Sequence, residues 1–182
     1  ALSRGQLLKG PFQLLSDRAA TEIMLDAGFD FVLVDAEHRA LNPETVEDIV
    51  RTAQGIGRSA MVRAPMIARA PIQYILDAGA DAILIPLVNS PSQAEEAVSY
   101  CRYPPQGSRG LNAATRNASW GTSDPGGYAA ESNRDLVVAV QIETLAGLEA
   151  VDDIAAIEGI DMLYVGPFDL SHNMGLTGQL NH

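Results

Sequence analysis

Between Leu136 and Ser171 the chain reads LVVAVQIET (136–144), LAGLEAVDDIAAIEG (145–159) and IDMLYVGPFDLS (160–171). Two apolar runs flank a stretch of helical character, and both runs are continuous rather than alternating. Strands buried on both faces read this way, and two of them joined by a helix lie parallel and adjacent. Glu143 ends the first run and Asp169 stands just past the second. Parallel strands aim their C-terminal ends the same way, so the two carboxylates are expected on one rim, where they suggest a site for a divalent metal.

The second of these runs opens with a pattern found three times: AGFDFVLVD (27–35), AGADAILIP (78–86) and EGIDMLYVG (158–166). In each, a glycine suited to the left-handed C-cap ends a helix, and an aspartate two residues on precedes a buried strand. Gly28, Gly79 and Gly159 are spaced as two and three βα units would be, the rhythm of a (β/α) barrel. On that rhythm a first strand is expected at Pro11–Leu15, followed by a helix from Asp17 to Ala27 with Ser16 as N-cap. A second strand, Phe31–Asp35, leads to a helix opened by Asn42-Pro43-Glu44, an N-cap with proline at the first helical position. Ala60–Arg63 is the third strand, with Pro71 opening the helix that ends at Gly79. Ala82–Leu87 is the fourth, and Ser90-Pro91-Ser92-Gln93 after it has the form of a capping box. A weak fifth strand is placed near Arg109–Asn112, the polar and glycine-rich 113–133 is read as a long loop with at most a helical turn, and the opening pair supplies strands six and seven.

The fold expected is therefore an α/β, TIM (β/α)8-type parallel barrel in one domain, 1–182, cut short after strand seven. A complete barrel takes roughly 250 residues, so the C-terminal strand and helices are expected to be missing.

Composition narrows the function. The net charge of −11 argues against nucleic acid or an anionic membrane as partner. The single cysteine, Cys101, rules out an internal disulfide framework and suits a reducing cytoplasm. The amino-terminal ALSRGQLLKGPFQ has no apolar stretch of the kind a leader carries, and no apolar run approaches the ~20 residues of a membrane helix. Lys9 is the only lysine and precedes the first strand. An imine-forming enzyme needs a lysine inside the barrel or near the catalytic rim, so Schiff-base chemistry is not expected.

Polar residues gather where strands end, the functional face of such barrels. The second strand runs into Asp35-Ala36-Glu37-His38, the third ends at Arg63, the sixth at Gln141-Ile142-Glu143-Thr144, and the seventh leads to Gly166-Pro167-Phe168-Asp169. Singly, each has a structural reading: Asp35 and Glu37 as turn caps, His38 as a structural imidazole, Arg63 as a partner of Asp35, Gln141 as a core amide, Asp169 as a helix cap. Their joint placement on one rim favours chemistry.

VDAEH (34–38), MVRAP (61–65), RYPPQGSRG (102–110), QIET (141–144) and VGPFDLS (165–171) resemble the signature motifs of the HpcH/HpaI aldolases, metal-dependent 2-keto-3-deoxy acid aldolases of the phosphoenolpyruvate/pyruvate barrel superfamily. The likeness spans nearly the whole chain, in the family's order. It implies Glu143 and Asp169 as ligands of Mg, Mn or Co, with a chelating 2-keto acid such as pyruvate completing the shell. It implies a pyruvate enolate stabilised by the metal and by Arg63, and His38 as acid–base group, oriented by Asp35 or Glu37. Gln141 would hold substrate, and backbone amides near Phe168 and Asp169, with Gly166 and Pro167 alongside, would receive its carboxylate. The reaction implied is reversible cleavage of a 4-hydroxy-2-keto acid to pyruvate and an aldehyde, in a trimeric or hexameric homo-oligomer. Another enolate-forming lyase or decarboxylase, and a catalytically silent truncated scaffold, are the alternatives. RYPPQGSRG is read as a rigid turn with Arg109 bracing a rim, Trp120 and its loop as a lid or subunit contact, and Cys101 as chemically idle.

Overall fold

The computed structural model describes residues 5–181; the first four residues of the amino-terminal segment read above, and His182, lie outside it. Six parallel strands form one sheet in sequence order: β1 (Phe12–Gln13), β2 (Phe31–Asp35), β3 (Ser59–Arg63), β4 (Ala82–Ile85), β5 (Val137–Ile142) and β6 (Met162–Val165). Between them run α1 (Arg18–Asp26), α2 (Pro43–Gly55), α3 (Arg69–Asp77), α4 (Pro91–Cys101), α5 (Pro125–Asp135), α6 (Leu145–Glu149) and α7 (Val151–Ala155), and α8 (Pro167–Asn173) follows β6. This is the barrel-type α/β architecture expected, with the sheet left open, since β1 and β6 are not hydrogen-bonded to each other. None of the described helices is long and apolar enough to cross a membrane.

Alternation along the strands sends side chains to two cores. Outward-facing Val32, Val34, Val62, Ile83, Ile85, Val138 and Val140 pack with Ile49, Val50, Ile72, Ile75, Ala94 and Val98 of the helices, all but fully buried. Each such side chain is worth about 1.5–3 kcal/mol of burial. Inward-facing Leu33, Met61, Leu84 and Ala139 form a second, smaller core, flanked by Phe31, Ala82, Met162 and Tyr164. The sheet curls enough for Phe12 of β1 to meet Tyr164 of β6 edge-to-face across this interior, ring centroids 6.4 Å apart.

The recurring Gly-x-Asp has a physical reading on both counts. Gly28, Gly79 and Gly159 take φ of 100°, 93° and 97°, the left-handed region where a side chain is strained. The aspartates staple neighbouring strands at their N-terminal ends: Asp30 accepts the amide of Lys9, Asp81 that of Ala60, and Asp161 that of Val138. Arg102 reinforces the same end, reaching the carbonyls of Asn133, Leu136 and Gly159 and the carboxylate of Asp161.

Several expectations are corrected. No strand forms near Arg109–Asn112. The amides of Ser108 and Arg109 are taken by carbonyls of Ser99 and Arg102 at the end of α4, which ties the start of this segment to the helix, and β4 pairs directly with Val137–Val140. The sheet thus has six strands where seven were read. The stretch read as loop contains α5, opened by Asp124, whose side chain accepts the Gly127 amide, with Pro125 at the first helical position. Asp17 rather than Ser16 caps α1, and α3 opens at Arg69, ahead of Pro71. The helix between the last two strands is divided at Ala150 into α6 and α7. Asn42 and Ser90 cap α2 and α4 as read.

The Trp120 loop lies far from the rim of strand ends. Arg116 bonds the Ala78 carbonyl and Gln54, Asn117 bonds the Asp77 carbonyl, and Arg51 lies over the Trp120 ring at 5.8 Å. These partners sit at the C-terminal ends of α2 and α3, at the opposite end of the sheet, where the loop cannot serve as a lid.

Candidate active site

The C-terminal ends of β2, β4, β5 and β6 converge on a cleft of about 200 Å³ lined by Glu37, His38, Leu87, Glu143, Thr144, Asp169, His172 and Asn173. Four of the residues singled out in the sequence meet there: Glu37, His38, Glu143 and Asp169. Arg63, Asp35 and Gln141 stand beside it on the inner face, while Phe168 is exposed and does not line it.

Asp35 ends β2 directly across from Arg63 on β3. The pair is bidentate, Nε to Oδ1 at 3.0 Å and Nη2 to Oδ2 at 2.9 Å, and Arg63 is only 7% exposed under the Phe12 ring. Asp35 Oδ1 also accepts the amides of Glu37 and His38, which shapes the turn that carries both. Asp35 therefore positions His38 through its backbone; the imidazole itself is 60% exposed and lies 3.8 Å from Glu37 Oε2, beyond hydrogen-bond length. Burial pushes the Asp35 carboxyl up, but Arg63 and the two amides outweigh it and hold the group below its ordinary value. Glu37 goes the other way. Its Oε2 lies 3.2 Å from Arg63 Nη1 without hydrogen-bond alignment, and burial, aided by Glu143 and Asp35, lifts its carboxyl above the ordinary value.

Glu143, one residue beyond β5, is buried. Its Oε1 accepts the Leu87 amide at 2.8 Å and its Oε2 the Gln141 side-chain amide. Burial, then the charge of Asp169, raises its carboxyl above the ordinary value despite those bonds. Asp169 lies in the first turn of α8, and Gly166 ahead of it has no room for a side chain: a Cβ there would stand 2.7 Å from Gln141 Nε2 and 3.0 Å from Glu143.

Two carboxylates repelling each other in one cleft, with the Gln141 Oε1 buried nearby and unbonded, fit a hard cation that keeps open positions. No three His, Cys, Asp or Glu among the described residues are gathered to hold a metal unaided. Such an ion would draw its remaining ligands from water and substrate. The lone lysine precedes β1, at the far end of the strands.

Leu87, His172 and Asn173 were not singled out from the sequence, and Thr144 was named only within QIET, without a role. His172 falls three residues after Asp169, hence on the same face of α8, and its Nδ1 is 2.9 Å from Thr177 Oγ1. That spacing is the one signal the sequence offered. Cys101 is buried, its thiol pushed up to about 12 by burial, in keeping with an idle role.

A curled parallel sheet with carboxylates, an imidazole and a buried arginine at its C-terminal rim places polar groups where (β/α) barrels carry their active sites. Comparison with known proteins is narrower. Residues 9–182 match the family described as HpcH/HpaI aldolase/citrate lyase. The chain is 38% identical to a hydroxypyruvate/pyruvate aldolase of Roseovarius nubinhibens, covering 98% of this chain and 69% of that protein. It is 37% identical to a 5-keto-4-deoxy-D-glucarate aldolase of Shigella sonnei, covering 100% and 70%. The crystal structure of an HpcH/HpaI aldolase from Desulfitobacterium hafniense superposes with a TM-score of 0.92 at 33% identity, covering all of this chain and 70% of that one. The chain belongs to the HpcH/HpaI aldolase/citrate lyase family, and the resemblance of its motifs is borne out.

Proposed function

We propose that this protein is a divalent-metal-dependent aldolase that reversibly cleaves a 4-hydroxy-2-keto acid to pyruvate and an aldehyde. The observation that carries the reading is the pairing of Glu143 and Asp169 in one cleft with Glu37 and His38, far from the only lysine. Glu143 and Asp169 would hold Mg, Mn or Co, which when bound supplies Lewis acidity at the keto oxygen.

The chain's own residues do the rest. His38, open to the cleft, takes the proton of the C4 hydroxyl, directly or through water, with Glu37 beside it to balance the imidazolium. The C3–C4 bond then breaks, releasing the aldehyde and leaving its electron pair on the pyruvate fragment as an enolate, which is protonated at C3. Arg63 supplies fixed positive charge beside the carboxylates, and its field reaches Glu143. Gln141, with Nε2 committed to Glu143, offers Oε1 as acceptor for a substrate hydroxyl or water. The amides of Phe168 and Asp169 in the first turn of α8 lack intrahelical acceptors and suit the substrate carboxylate; Pro167 has no N–H to contribute. Gly166 gives Gln141 and Glu143 the space in which they sit.

The test is pyruvate release from a panel of 4-hydroxy-2-keto acids, including aldol products of pyruvate and hydroxypyruvate, with and without chelator. Chelator-sensitive release is expected. Release that survives exhaustive chelation overturns the metal reading, and release of carbon dioxide in place of an aldehyde assigns a decarboxylase. Silence toward every donor, with Mn²⁺ demonstrably bound, overturns the aldolase.

A further inference from the structure

Leu87, two residues beyond β4, has φ of 54°, inside the left-handed region. A non-glycine residue there costs about 1–3 kcal/mol and persists where the surroundings enforce it. The side chain does not repay that cost, because it is 49% exposed on the cleft wall. The backbone gives the reason. In a regular strand successive amides face opposite neighbours. Here two successive amides both turn toward the β5 side: Leu87 donates to Glu143 Oε1 at 2.8 Å, and Val88 donates to the Gln141 carbonyl at 3.3 Å. The left-handed turn at Leu87 allows both bonds. It falls between Pro86, whose φ is fixed, and Val88, which is fully buried, so neither neighbour can absorb the bend.

Taking the metal reading above as its basis, we infer that Leu87 is a positioning residue: its left-handed backbone aims an amide that fixes the rotamer of Glu143 and presents the carboxylate to the cation. With Oε1 tied to Leu87 and Oε2 to Gln141, Glu143 is bonded from both sides. Partners of this kind around a ligand carboxylate are worth 10–100-fold in metal affinity. The residue type at position 87 therefore matters through its tolerance of positive φ more than through its size.

Substitutions that separate backbone from side chain test this. Leu87→Gly and Leu87→Asn accept the left-handed region; Leu87→Val resists it through β-branching. The readouts are Mn²⁺ titration by calorimetry on the chain without substrate, melting temperature, and hydrogen exchange of the Leu87 amide. Mn²⁺ affinity within about twofold of wild type is expected for Leu87→Gly and Leu87→Asn, and a loss of at least about tenfold for Leu87→Val. The Leu87 amide should exchange slowly in wild type and about tenfold or more faster in Glu143→Ala. A merely structural role would lower the melting temperature of Leu87→Val without the split in Mn²⁺ affinity. Equal affinity in Leu87→Val and wild type, equal loss in Leu87→Gly and Leu87→Val, or unchanged exchange in Glu143→Ala overturns the inference. A wild-type chain that takes up no Mn²⁺ overturns the metal reading, and this inference with it.

Discussion

The two ends of the sheet use the same kinds of side chain to opposite effect. At the N-terminal end, Asp30, Asp81 and Asp161 each accept a neighbouring strand's amide, Arg102 bonds three carbonyls and a carboxylate, and Arg109 pairs with Asp77 at 2.9 Å. At the C-terminal end, Glu37 and Glu143 are lifted above their ordinary values, Gln141 Oε1 has no donor, and Leu87 holds a strained φ. Among the described residues, two of the three buried arginines serve the first end and one the second. Arg109 Nε apart, the polar groups named at the first end have partners and hold the fold together; the unsatisfied ones at the second, kept in place by the rest, suit a ligand.

The comparison breaks most visibly if Glu143→Ala or Asp169→Ala keeps activity. Either change should reduce chelator-sensitive pyruvate release to background. Asp169→Ala should leave the melting temperature equal or higher, since a like-charge repulsion goes with it, whereas Glu143→Ala should lower it modestly, because the Leu87 amide and Gln141 Nε2 lose their acceptor. The opposite end should behave in reverse. Arg102→Met leaves the carbonyls of Asn133, Leu136 and Gly159 without their donor, and at about 1–3 kcal/mol for each buried acceptor should cost about 3–5 kcal/mol in urea unfolding while the folded fraction still takes up Mn²⁺. Gly166→Ala falls between the two in kind and below them in size. Its methyl group would press on Gln141 and Glu143, costing about 1–3 kcal/mol and weakening Mn²⁺ uptake together.

Acid sharpens the contrast with the smallest effect. Glu143 binds its proton more tightly than an ordinary glutamate, so Mn²⁺ uptake should decline, as pH falls, from above the usual 4.5. Asp35 is shifted the other way. Its contribution to stability is fully present above the unfolded value near 3.8 and is lost as pH falls through the lower folded value. Metal uptake should therefore fail in calorimetry before the Asp35–Arg63 contribution is lost in acid unfolding followed by circular dichroism.

What was legible in the sequence was what repeats or carries its own local signal. Continuous apolar runs located β2 to β6, Gly-x-Asp marked three strand starts, and Asn42-Pro43 and Ser90-Pro91 marked two helix starts. Asp124-Pro125 carries the same signal for α5, but Gly126 and Gly127 behind it weaken the helical pattern. The absent strand near Arg109 was decided by hydrogen bonds to the end of α4 that no local pattern reveals. Glu37, His38, Glu143 and Asp169 could be placed on one rim because strand ends in a parallel sheet share a direction. Leu87 could not, since nothing in Pro86-Leu87-Val88 announces a positive φ.

Strand order that follows chain order has a further meaning for assembly. Each strand bonds to the one before it, so the sheet can grow by adding successive units, each closing a short loop; the step from β4 to β5, with α4, the Trp120 loop and α5 in between, is the long one. Opening should follow the same geometry in reverse. β1 and β6 each have one strand neighbour among the described residues, and the Phe12–Tyr164 ring contact ties them across the interior. Asp169 sits on the helix that follows β6, while Asp35 ends β2 and Glu143 follows β5, strands with a neighbour on either side. The two carboxylates proposed as metal ligands therefore belong to neighbouring units, and a cation held by both would tie β6 and its helix to β5.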